Sequence, residues 1–229
     1  ELNWGAIDGL EQALGSNGVT SNYRQGMASY TWDLVQNLKQ GRALFSQPPM
    51  PIKCAGAPQK AMYLSSDYWL KNQVLGNLDV QFHNAGAVRF GVPDYVPALE
   101  AYIDRYGIGL NFQSNLVAVN GPARKATFRV TDADCNAEDR ELAFDMLHAV
   151  PPQRAPGFIR ESELANEGGW LNLADDTLCH KTYSNIFGLG DVSGTGNAKT
   201  AAAVRKQAPV VAENLLAYLR KQPMTAAYL

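Results

Sequence analysis

Hydrophobic and polar positions follow two different periods along this chain, and each change of period marks an element. Tyr30, Leu34 and Leu38 recur at helical spacing and Gly41 follows as a stop, which predicts a helix over Met27–Leu38. The apolar run RALFS, bounded by QPPMP, predicts a buried strand and then a turn. Pro58 suits the first position of a helix, where its missing N–H costs nothing, and that helix is predicted to reach about Asn72. LDVQFHN (78–84) reads as a second strand, PDYVPALEAYIDRYG (93–107) as a helix ended by Gly107, and IGLNFQ (108–113) as a third strand. After this β-α-β-α-β run, NLVAVNGPARKATFRV has the period of two of a hairpin turning at Asn120–Gly121–Pro122, and RELAFDMLHAV adds one or two more strands.

The order predicts an α/β fold: a Rossmann-like three-layer domain with a β-meander over residues 41–155. Beyond PPQRAP, the stretches GWLNL and NIFGLGD read as strands and AKTAAAVRKQAPVVAENLLAYLRKQ as a long helix. Two strands and a helix cannot bury both their faces alone, so residues 156–229, with 1–40 as a linker or partial segment, are assigned to a second, incomplete domain. Tyr30, Trp32, Tyr68 and Trp69, at helical spacings, are assigned to the core.

Composition narrows the function classes. A length of 229 residues allows two domains, and a formal net charge of −2 without a basic run leaves no electrostatic footprint for nucleic acid. No apolar stretch approaches the roughly 20 residues of a spanning helix, so the chain as given is expected to be soluble. Three cysteines (54, 135 and 179) and no CxxC pair predict a reducing compartment rather than a disulfide framework. A start without Met and a stop just after an amphipathic helix read as an excerpt of a longer protein.

Two places carry candidate chemistry. A mononucleotide-binding unit needs a glycine-rich turn after its first strand, but the chain has Lys53-Cys54-Ala55-Gly56-Ala57-Pro58 there. The phosphate cradle is missing; what remains is a thiol beside a lysine and ahead of a helix N-terminus, both of which stabilise negative charge on sulfur. Cys54 is thus either a sulfur nucleophile or a small buried hydrophobe. In NIFGLGDVSG, Asp191 is expected just past the carboxyl end of an apolar strand, where it can accept a hydrogen bond from a ribose or ribityl hydroxyl or simply close a turn. The backbone around Lys199 and Thr200 opens the long helix and can stabilise negative charge on a bound ring or phosphate. Gly188-x-Gly190-x-x-x-Gly194 is one residue too long for a dinucleotide fingerprint, and Ala198 spoils the P-loop likeness of GTGNAKT. Adjacent Cys179 and His180 have no second ligand pair, so no metal is expected; Cys135, in an acidic loop, is read as incidental, and His148, beside Pro151–Pro152, as a core or supporting histidine ahead of a general base.

Taken together, PIKCAGAPQKAMYLSSDYW, MLHAVPPQRAP, GGWLNLADDTL, NIFGLGDVSG and AKTAAAVRKQAPVVAENL resemble the sulfide:quinone oxidoreductases, most closely the branch that includes the mitochondrial enzymes. The resemblance implies two nucleotide-binding-like domains in the manner of the disulfide reductases, FAD in the first and no NADH in the second. Residues 1–40 and 156–229 then belong to the FAD-binding domain, and 41–155 to the degenerate NADH-binding-like domain. Cys54 resembles one of two redox cysteines that carry sulfide sulfur as a persulfide, and Asp191 the flavin-binding aspartate. Lys199, Thr200, Ala201, Ala202 and Ala203 resemble the helix start facing the flavin pyrimidine edge. Sulfide and quinone are the implied substrates and a membrane surface the implied location of the whole enzyme. The family's G-x-G-x-x-G, its second redox cysteine and its membrane-docking helices have no counterpart in these residues, so the chain alone is not expected to hold FAD tightly or turn over sulfide. The flavoprotein subunit of flavocytochrome c sulfide dehydrogenase and a non-catalytic scaffold are the alternative readings.

Overall fold

The computed structural model describes residues 1–228. The chain divides into two compact units, one made of Leu2–Met50 and Gly56–Pro152, the other of Glu1, Pro51–Ala55 and Gln153–Leu229.

The first unit is built on a five-stranded, all-parallel sheet. In chain order its elements are α1 (Leu10–Ala13), β1 (Val19–Thr20), α2 (Ala28–Asn37), β2 (Gly41–Gln47), α3 (Ala57–Lys71), β3 (Leu78–Asn84), α4 (Val96–Tyr106), β4 (Gly109–Asn111), β5 (Ser114–Asn120), β6 (Lys125–Thr131), β7 (Ala137–Ala143) and β8 (Met146–His148). The parallel sheet has the order β1-β8-β2-β3-β4, and β5-β6-β7 form an antiparallel meander. The run RELAFDMLHAV therefore splits: β7 closes the meander, while β8 enters the parallel sheet beside β2.

Alternation along β2 explains the three layers. Ala43 and Phe45 pack with Val35 of α2, Met62 and Trp69 of α3 and Ile103 of α4, whereas Leu44 points the other way, into a cluster with Leu116, Ala126 and Phe128 of the meander. A strand buried on both faces must be almost wholly apolar, as RALFS is. Trp69 is fully buried and its Nε1–H donates to the Val35 carbonyl at 2.8 Å, which satisfies its one polar atom. Trp32, expected in the core, is instead 46 % exposed: it lies on the outer side of α2, where its ring meets the edge of Tyr68 at 4.8 Å.

On β3 the same alternation sends Val80 and Phe82 to the helices and His83 to the meander, where its ring stacks on Phe128 at 3.8 Å and its Nδ1 lies 2.8 Å from Ser114 Oγ. His148 on β8 is also buried, its Nε2 accepting from the Asn22 N–H at 3.0 Å. Both are core histidines.

The second unit contains α5 (Gly157–Arg160) and the long α6 (Ala201–Leu219) around a small core of Ala155, Ile159, Trp170, Leu171 and Leu173. The predicted strands GWLNL and NIFGLGD do not form. Their residues pair one at a time, Ala165 with Leu171, Leu171 with Ser193, Leu173 with His180 and Cys179 with Phe187. Each segment turns away after a single bridge, so no ladder propagates, although the apolar residues are buried as their pattern suggests.

Candidate functional site

The nine residues from Pro48 to Gly56, between β2 and α3, stand where a nucleotide-binding fold has its glycine-rich turn, and Pro51–Ala55 from this connection belong to the second unit. There Lys53 pairs as a parallel bridge with Lys199, and the Cys54 N–H donates to the Lys199 carbonyl at 2.8 Å. The Lys53 N–H donates to Gln153 Oε1 at 2.6 Å, and Lys53 Nζ lies 3.2 Å from Asp191 Oδ2. Two segments nearly 140 residues apart in sequence, singled out independently by their chemistry, thus meet within one unit.

Cys54 itself is held at φ 56°, in the left-handed region. For a residue with a β-carbon that conformation costs about 1–2 kcal/mol and persists only where neighbours over-determine it. The hydrogen bonds at Lys53 and Cys54 supply that constraint, and the half-buried Cys54 thiol is in no disulfide.

Asp191 does not follow a strand. It sits in a 3-10 turn, Gly190–Val192, where Gly190 has φ 71° and donates its N–H to Gln207 Oε1 of α6 at 2.9 Å. Gly194 serves a different end: a β-carbon there would lie 2.7 Å from the Leu171 carbonyl oxygen and 2.4 Å from Asn166 Nδ2. The glycines that imitate a phosphate loop are thus required by a tight turn and a close backbone approach. The Asp191 carboxylate is half exposed and free to accept further hydrogen bonds beyond its ion pair with Lys53.

Lys199 is 7 % exposed, and its ammonium is engaged inside the unit. It donates to the carbonyls of Asp191 (3.1 Å) and Ser193 (2.5 Å) and stands 3.9 Å above the centre of the Trp170 ring. Burial lowers its pKa to about 8, with the Asp191 carboxylate opposing that shift and Lys53 adding to it. Thr200 is the N-cap of α6, its Oγ1 accepting from the Ala203 N–H at 3.1 Å. Ala201 and Ala202 are exposed and Ala203 is buried, so small side chains leave the helix N-terminus, with its unpaired N–H groups, open on one side.

Among the described residues of this unit, the buried polar atoms Gln153 Nε2, Ser193 Oγ, Thr195 Oγ1 and Asn197 Nδ2 have no protein partner. Residues 193, 195 and 197 alternate along the segment between the Asp191 turn and α6, and all four atoms can donate. Sequence reasoning passed over them and over Trp170. The signal available was the alternation of short polar residues in SGTGN, which reads equally as an ordinary loop.

The remaining candidates lie elsewhere. Cys135 is exposed in the polar turn after β6. Cys179 is buried, with its Sγ 3.6 Å from the Ser184 carbonyl, and burial raises its pKa. Among the described residues no three His, Cys, Asp or Glu side chains converge as a metal site, and no helix is long and apolar enough to cross a membrane.

No family model matches the sequence. The mitochondrial sulfide:quinone oxidoreductase of Dictyostelium discoideum, however, is 36% identical over 230 residues, which take in 100% of this chain and 50% of that protein. The chain is related to the sulfide:quinone oxidoreductases. It spans about half the length of the curated relatives it matches. Among solved structures, a chain of the Tetrahymena thermophila mitochondrial ATP synthase assembly superposes with a TM-score of 0.82 at 24% identity, over 100% of this chain and 56% of that one. The sulfide:quinone oxidoreductase of the bacterium Aquifex aeolicus gives a TM-score of 0.77 at 18% identity, over 97% of this chain and 53% of that one. At these identities the two structures establish the fold alone: an α/β fold of the Rossmann-like kind.

Proposed function

We propose that this chain carries the sulfide-handling half of an FAD-dependent sulfide:quinone oxidoreductase, with Cys54 as a redox thiol. The observation that carries the reading is the hydrogen bond from the Cys54 N–H to Lys199 O: it brings the thiol segment to the Asp191 turn in a chain related end to end to sulfide:quinone oxidoreductases.

The residues present fit a flavin. A buried row of unpartnered donors (Gln153, Ser193, Thr195, Asn197), an exposed carboxylate at Asp191 and the open N-terminus of α6 suit a ligand that carries hydroxyls, ring carbonyls and a delocalised negative charge. Asp191 would accept from a ribityl hydroxyl, and the first-turn N–H groups of Ala201 and Ala202 would stabilise charge on the ring. When bound, FAD supplies a two-electron sink that passes its electrons on to quinone.

The chain's own part is sulfur chemistry. Hydrosulfide and the Cys54 thiolate combine into a persulfide, forming one S–S bond and releasing one proton and two electrons. Lys53, ion-paired to Asp191 beside Cys54, offsets negative charge that builds near the sulfur. The whole enzyme is proposed to act at a membrane surface and, like the relatives described as mitochondrial, in that compartment.

The test uses the product of the complete gene in which this sequence lies. The protein is given one equivalent of sulfide without quinone, and its peptides are then mapped by mass spectrometry. A gain of one sulfur atom at Cys54, with Cys135 and Cys179 unmodified, is expected. Sulfur distributed evenly over the three thiols overturns the assignment and leaves the fold as a scaffold.

A further inference from the structure

We propose that Lys199 is a positioning residue: its ammonium locks the Asp191 turn while its backbone carbonyl holds Cys54, so that one residue sets the thiol and the carboxylate in a single register. The functional weight of this register rests on the reading of Cys54 given above.

The ammonium has three N–H donors. Two are engaged by the Asp191 and Ser193 carbonyls, and the third side of the group is covered by the Trp170 ring. No donor is left for a ligand, although the family resemblance assigns Lys199 to the cofactor. The N–H groups at the start of α6 are what remains for that purpose.

The main chain of the same residue carries the other half of the device. Its carbonyl accepts the Cys54 N–H at 2.8 Å, and the next residue, Thr200, caps α6. Cys54 keeps its left-handed φ of 56° only while that pairing lasts. Loss of the ammonium strands two carbonyls and uncovers the Trp170 face, so residue 199 loses its anchor and Cys54 its constraint. The effect reaches Cys54 through the backbone.

Hydrogen exchange at the Cys54 amide in the 229-residue chain tests this directly, in the wild type, K199M and K199R. K199M is expected to exchange at Cys54 at least about tenfold faster, with Phe45 and Phe82 in the other unit unchanged. K199R, which retains charge and donors, is expected to stay within about threefold of wild type. Wild-type exchange in K199M, or equal loss in both variants, overturns the proposal.

Should K199M fail to fold, the wild-type chain still decides. Its Cys54 amide, paired with the Lys199 carbonyl, is expected to exchange at least about tenfold more slowly than exposed loop amides, and exchange at the loop rate contradicts a held pairing. Neither readout involves flavin or sulfide. Failure of the clamp therefore leaves the proposed activity standing, and the reverse also holds.

Discussion

Replacing Cys54 by glycine should stabilise its unit relative to replacing it by alanine, although glycine removes more side chain. At φ 56° any residue with a β-carbon pays a steric cost of about 1–2 kcal/mol that glycine avoids. Glycine returns about 0.4–1 kcal/mol of this through the greater freedom of its unfolded chain. The difference leaves C54G up to about 1.6 kcal/mol more stable than C54A, about 0.8 kcal/mol at the middle of the two ranges. Cys135, at φ 65° in an exposed turn, provides a control in which C135G should exceed C135A by a similar amount without touching the site. The assay is a urea titration of each chain in which exchange-protected amides of α6 report on the second unit. If C54A equals or exceeds C54G while C135G exceeds C135A, the reasoning fails at Cys54, and the left-handed conformation is not a strain held by the pairing with Lys199.

Three further outcomes follow from the structure. Cys54 is expected to alkylate with iodoacetamide at neutral pH faster than the more exposed Cys135 and the buried Cys179; rates that simply follow exposure contradict its assignment as the reactive thiol. The pKa of His83 is lowered to about 4, first by burial and then by Arg42, so its folded value lies below the unfolded 6.5 and protonation favours the unfolded chain. Its contribution to stability is therefore complete above about pH 6.5 and declines toward pH 4, by on the order of 3 kcal/mol, and H83Q should flatten that part of a urea-stability profile; a variant with an undiminished acid slope refutes this. NADH is expected not to bind, because residues 48–56 form no glycine-rich turn, and a micromolar dissociation constant by calorimetry would show that the phosphates find another cradle.

Much of the first unit was legible in the pattern of residues because α2, α3, α4, β2, β3, β5 and β6 each follow one period for seven or more positions. LDVQFHN is strand β3 from end to end, and Pro58 lies in the first turn of α3 as its chemistry requires. β1, with two residues, and α1, with four, are too short for any period to register. The second unit misled for a physical reason: GWLNL and NIFGLGD have the composition of strands, but their residues pair one at a time with different segments, so buried apolar residues arise without a ladder. Trp32 was misplaced because helical spacing fixes which residues share a face but not which face is covered.

The candidate site divides along the same line. Cys54 and Asp191 stood out as candidates by residue type, a thiol and a carboxylate each beside a predicted helix start, whereas the capping role of the Thr200 hydroxyl appears only in the structure. Their meeting was not legible, because the bridge between Lys53 and Lys199 joins distant segments and leaves no local mark. Nor was the direction of the Lys199 side chain, which depends on Trp170 lying beneath it.

Sulfide-dependent quinone reduction by the complete gene product, measured for wild type and C54S at matched FAD content, tests the central claim most directly. C54S is expected to retain its flavin and its fold while turnover drops to background. Wild-type turnover in C54S would contradict it, removing Cys54 from the reaction and leaving its hydrogen bond to Lys199 as a purely structural contact.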